Sequence, residues 1–160
     1  MMMADDEVTI EETTEETIEE TTETPTEYYM DYEDRLMEKI EEVASKYPIF
    51  TDVVSEDSSI SVATLPASTV VRQYYNGISD KEYIHELTAK AKASERAQAT
   101  KELAAIGVKL EQLADIPSNN QSYDFGGITV TNELFFSEAT TDGWIYFRLQ
   151  IKTLLTVYEV

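Results

Sequence analysis

Cysteine is absent from this chain of 160 residues. That excludes a disulfide framework and any thiol chemistry, and it fits a reducing compartment. Histidine occurs once, as His85, so the commonest acid–base and metal-binding side chain has no second copy to work with. No apolar run is long enough to span a bilayer, and no membrane role is expected. The beginning of the chain is acidic and lacks the basic segment followed by an apolar run that marks a secretory signal. Bases are missing altogether from residues 1–27, which hold eleven acids.

What is present is acid, unevenly spread. The net charge is −20, and residues 28–160 hold 21 acids against 12 bases, so the leading segment supplies over half the excess. Neither part offers a basic surface for gripping phosphates, on which sequence-independent DNA binding depends. Residues 1–24 read as an acidic, low-complexity N-terminal arm of glutamate and threonine, with too few apolar groups for a core and like charges that repel. Residues 25–160 form one domain of ordinary apolar content.

The domain is organised around its last segment. Ile145, Phe147, Leu149, Ile151, Thr153, Leu155 and Val157 share one parity, while Arg148, Gln150, Lys152 and Thr156 take the other. A strand has a side-chain period of two, so this is a long strand with one buried face. Ile128, Val130, Leu134 and Phe136 supply an antiparallel partner, interrupted by Asn132, with Asp142-Gly143 as the turn signal. Upstream, Thr24-Pro25-Thr26-Glu27 has the form of a capping box with proline at the first helical position. Tyr29, Tyr32, Leu36, Ile40, Val43 and Tyr47 then recur at helical spacing, which places a helix from residue 25 or 31 to 47, ended by Pro48. Short strands are expected over residues 49–54, 59–65 and 69–75, with Pro66 breaking the last two apart and Asn76-Gly77 as a turn. Residues 81–92 alternate and are read as a strand despite their alanines and glutamates. A second helix begins near Ser94 as N-cap and buries Ala99, Leu103, Ile106, Leu110 and Leu113. The order predicts an α+β domain: a mostly antiparallel sheet with two packed helices.

Chemistry is hard to place on this pattern. His85 sits within a strand, where a structural role is the expectation. Asp52, Glu56 and Asp57 are near one another, but no metal-loop spacing or glycine accompanies them. Phe125-Gly126-Gly127 precedes a strand rather than opening a helix, so it predicts a bend or bulge and not a phosphate cradle. No catalytic, metal-binding or cofactor-binding residue emerges, and the chain reads as a non-enzyme without a cofactor.

Six stretches together carry a resemblance. They are the opening helix over residues 34–47, the strand Ser59-Ile-Ser-Val-Ala-Thr-Leu-Pro66 and the long strand Tyr83-Ile-His-Glu-Leu-Thr-Ala-Lys-Ala-Lys92. The helix over residues 97–113, Tyr123-Asp-Phe-Gly-Gly-Ile-Thr-Val-Thr131 and the closing strand over residues 144–159 complete the set. In this order the chain resembles the minor capsid and tail terminator proteins of long-tailed, siphovirus-like bacteriophages. The acidic arm departs from the compact beginning of that family.

The resemblance implies a virion protein, assembled in the bacterial host cytoplasm. It forms a homo-oligomeric, hexameric ring at the neck, stops growth of the tail tube, and contacts the tail tube protein and a head completion or stopper protein. DNA passes through without specific binding, which suits an acidic lumen. Two other readings stand beside it: another neck component such as a head–tail adaptor or stopper, and an acidic DNA mimic that inhibits a nucleic-acid-binding protein. If the sheet continues between subunits, its long strands are expected to overhang the domain, and Tyr83, Tyr146 and Arg148 are the candidate subunit-interface residues.

Overall fold

A computed structural model describes residues 29–158 of the chain. The acidic arm and the capping signature at Thr24 to Glu27 lie outside the described residues. The rest is an α+β domain, in the order α1 (Tyr32–Val43), β1 (Ile49–Thr51), β2 (Ser59–Gln73), β3 (Ile78–Lys92), α2 (Arg96–Glu111), β4 (Tyr123–Ala139) and β5 (Trp144–Tyr158). The strands make one sheet, ordered β1-β2-β3-β5-β4. Every pairing is antiparallel except β1 with β2. Both helices lie on one face of this sheet, and the described residues leave the other face open.

The closing strand behaves as its alternation requires. Ile145, Phe147, Leu149, Ile151, Thr153, Leu155 and Val157 are all buried under the helices. Leu103, Ile106 and Leu110 of α2 join the same core as Phe147, Leu149 and Ile151. The approach is close where Gly107 crosses Leu149: a Cβ on Gly107 would stand 2.9 Å from a Leu149 methyl. Gly127 has φ +125 and sits where the β4–β5 register shifts, so the glycine pair forms the expected bulge at a backbone angle that side chains disfavour.

Helix α1 starts from Asp31, the later of the two expected starts, and buries Tyr32, Leu36 and Ile40. It ends at Val43, well before Pro48, and Tyr47 is buried from the turn that follows rather than from the helix. The cause is Glu102 on α2. Its Oε1 accepts the backbone N–H groups of Ser45, Lys46 and Tyr47 at 3.0, 2.9 and 3.2 Å, taking donors that a continued helix would have paired with the carbonyls four residues back. Glu102→Ala strands these donors and is expected to cost about 2–3 kcal/mol. Glu102→Gln, which keeps an acceptor, is expected to cost distinctly less. Urea unfolding midpoints would compare the two.

Three expectations require correction. Pro66 does not break the sheet: β2 is continuous through it, and the register against β3 shifts between Leu65 and Thr69. Proline is tolerated because β1 pairs only with residues 60–62, so beyond them the outer edge of β2 needs no donor from residue 66. Ser94 is not the N-cap of α2; a 3-10 turn over Ala93–Glu95 leads into the helix. There Glu95 accepts the Lys92 N–H and the Ser58 hydroxyl, at 3.2 and 2.6 Å. Finally, the long strands do not overhang. Every residue from Ile78 to Lys92 pairs with a residue of β5, so β3 and β5 are inside the sheet, and its free edges lie on β4, on the short β1 and on the far half of β2.

Candidate functional site

The histidine can be dismissed as a reactive group on geometry. His85 points into the core, with the edge of the Tyr32 ring at 5.7 Å between centroids, and neither ring nitrogen has a hydrogen-bond partner. Burial pushes its pKa down, against the smaller opposing pull of Glu33 and Asp52, so the ring is neutral at physiological pH. Asp52, Glu56 and Asp57 lie on an exposed loop, and no group of metal-ligating side chains occurs among the described residues. That loop instead gives up carbonyls. Lys90 donates to the carbonyl oxygens of Ser55 and Glu56 at 2.8 and 2.9 Å, and its ammonium lies 4.2 Å from the centre of the Trp144 ring. It is a clasp that ties the β1–β2 loop across the open face of the sheet.

A second polar cluster anchors the start of the domain. The buried Asp31 carboxylate accepts the Ser118 and Ser122 hydroxyls at 2.7 and 3.0 Å and the Asn119 N–H at 2.7 Å. Burial pushes this carboxyl up, but the hydrogen bonds from Ser118, Asn119, Ser122 and Asn120 together outweigh it and hold the group below the usual carboxylate range. The cluster joins α1 to the loop before β4, and it is structural.

The open face of the sheet carries charge in pairs. Arg148 reaches Glu86 at 2.9 Å and Glu138 at 3.8 Å, Lys152 reaches Glu82 at 3.0 Å, and Gln150 donates to Glu86 at 2.8 Å. Each exposed pair stabilises little, but together they make a polar, self-neutralised surface. Tyr146 stands on this face between Lys90 of β3 and Glu138 of β4. Of the three residues singled out in the sequence, Tyr146 and Arg148 therefore share one surface. Tyr83 is on the other face: its ring packs near Tyr32 at 6.2 Å, and it borders a shallow hollow with Ser68, Thr69, Val70 and Lys81.

Two features without an obvious sequence signal flank the sheet. One is the far half of β2, where residues 66–76 are all exposed and the inward–outward alternation of burial vanishes. Val70, Val71, Tyr74 and Tyr75 are bare there, Tyr75 completely. The other is a groove of about 310 Å³ between α2 and β4, floored by Gly107, Val108, Val130 and Leu134 and edged by Glu111 and Glu133. Both fall in stretches that read as ordinary strand and helix; only the tertiary arrangement leaves them uncovered.

Among solved structures, this arrangement of strands and helices recurs in the virion of a gene transfer agent particle. The chain shares its fold with a subunit of the virion of a native gene transfer agent. The two align over 73% of this chain and 84% of the other, with a TM-score of 0.53 and 11% identity. A second solved structure aligns over 81% of this chain and 93% of its own, with 12% identity and a TM-score of 0.49. Neither a family model nor a curated protein matches the sequence. Among the described residues, no helix is long and apolar enough to cross a membrane.

Proposed function

We propose that the protein is a non-enzymatic structural component of a phage-like virion, and more narrowly a tail terminator. In this reading it forms a hexameric ring at the neck that ends tail tube growth and joins tail to head. The observation that carries the proposal is the fold shared with a gene transfer agent virion subunit over 73% of the chain. The chemistry agrees with it. The one histidine is sealed in the core. An acidic chain lets DNA pass through a lumen without sticking. The partners are then the tail tube protein on one side and a head completion or stopper protein on the other. Tyr146 and Arg148 on the open face, and Tyr83 at the base of the exposed half of β2, are proposed to lie at contacts between subunits.

The inhibitor reading fares less well on the same surface. A DNA mimic needs unpaired acids at phosphate-like positions, whereas Glu82, Glu86 and Glu138 are engaged by Lys152 and Arg148. Particles assembled without this protein test the proposal. The expected result in electron micrographs is tails of uncontrolled length and heads lacking tails. Tails of normal length that fail only to join heads would move the protein to another neck role. Normal particles would end the virion reading.

A further inference from the structure

The exposed half of β2 and the α2–β4 groove are complementary, and they cannot meet within one chain. They sit on opposite flanks of the sheet, with β3 and β5 between them. At roughly 4.8 Å per strand, that separation is on the order of 14 Å. A second copy brings them together without strain.

Charge gives the direction of the match. Residues 58–79 contain no acid in a chain of 32 acids and their one base is Arg72; the arm's first acid, Asp80, lies opposite Arg72 in the β2–β3 register and accepts the Tyr74 hydroxyl at 3.1 Å. Strand β4 contains Asp124, Glu133 and Glu138 and no base, and the groove's own charged residues are Glu111 and Glu133. Arg72 is fully exposed beside Tyr74, its guanidinium 6.0 Å from the ring centre. Apolar surface matches as well. Val70, Val71 and Tyr75 are bare on the arm, and Val108 is 53% exposed beside the groove.

The joint is not simple strand addition. The Val130 N–H, on the outer edge of β4, is already taken by Glu111 at 2.8 Å. The β4–β5 register shifts four times along the strand. Both are devices that blunt an edge against pairing. Side chains in a groove remain.

We propose that the β2–β3 arm of one subunit, through Val71, Tyr75 and Arg72, docks into the α2–β4 groove of the next. Val108 and Leu134 receive the apolar side chains and Glu133 faces Arg72. The joint is heterologous, so each copy offers one arm and one groove and repetition closes a ring. The proposal rests on the ring reading above and specifies its seam.

The test uses two variants of the full chain with changes at exposed positions, where folding is little affected. One blocks the arm (Val71→Asp with Tyr75→Asp) and the other blocks the groove (Val108→Arg). Near-ultraviolet circular dichroism checks that both are folded, and sedimentation velocity reads the assembly state. Wild type is expected to assemble, and each variant alone to stay monomeric at the same concentration. An equimolar mixture is expected to give a dimer and nothing larger, because only one intact arm and one intact groove remain. Arg72→Glu is expected to raise the concentration for half-assembly at least about tenfold, and Glu133→Arg in the same chain to restore it.

A ring that survives both blocks overturns this seam and leaves the ring reading standing. So does an arm variant that assembles like wild type while the groove variant does not, which would give the groove another occupant. Monomeric variants that form no dimer on mixing also overturn it. A wild-type chain that stays monomeric removes the seam and the ring together.

Discussion

Ile106→Ala is expected to lower the stability of the domain by about 2–5 kcal/mol. Ile106 is fully buried in the core that α2 shares with β5. The substitution removes three carbon atoms there and opens a space whose walls have little freedom to close. Beneath lies the continuous apolar face of β5. The next residue, Gly107, is already so close to Leu149 that a methyl would clash, so α2 cannot settle further onto the sheet. Guanidinium unfolding of the variant measures the loss. A change within about 0.5 kcal/mol, as for a surface position, would show that α2 buries a different face.

The second large effect concerns Asp31. Asp31→Ala removes a buried carboxylate and leaves the Ser118 and Ser122 hydroxyls and the Asn119 N–H without their acceptor. The expected cost is about 3 kcal/mol, since hydrogen bonds to charged groups contribute more than neutral ones and stranded donors add their desolvation. The pH dependence follows from the direction of the pKa shift. The folded pKa lies below the ordinary carboxyl value, so the folded state holds on to the charged form. The carboxylate's contribution is fully present above the unfolded pKa and disappears as pH falls through the lower, folded one. Wild type and Asp31→Ala should therefore differ most near neutral pH and converge in strong acid. Thermal melts at a series of pH values read this. A gap unchanged down to about pH 2 would mean that the cost comes from packing and not from the charge.

These two positions show what could and could not be read in advance. The sequence by itself determined the α+β class, the two helices, the extended character of residues 81–92 and the buried parity of β5. Each rests on a local periodicity of side chains, and such periodicity survives in the linear chain. The Ile106 stripe is legible for that reason, as is the bulge at Gly126-Gly127. His85 as a structural residue follows from its being alone.

Asp31 was visible only as a helix start. Its three partners are about ninety residues away, and no local pattern announces a hydrogen bond of that separation. Glu102 is the same case: a glutamate on a helix reads as solvated until the turn after α1 is found folded against it. The continuity of β2 through Pro66 depended on its edge lying free, and that is a fact about neighbours. Strand order, too, was decided only in three dimensions. It puts β3 and β5 inside the sheet and leaves β4 on one flank and the short β1 with the far half of β2 on the other, so the seam proposed above uses the arm and the groove and not an overhang of β3 or β5. Alternation tells which side of a strand is buried. It carries no information on which strand lies beside it, because pairing uses backbone groups that every residue shares.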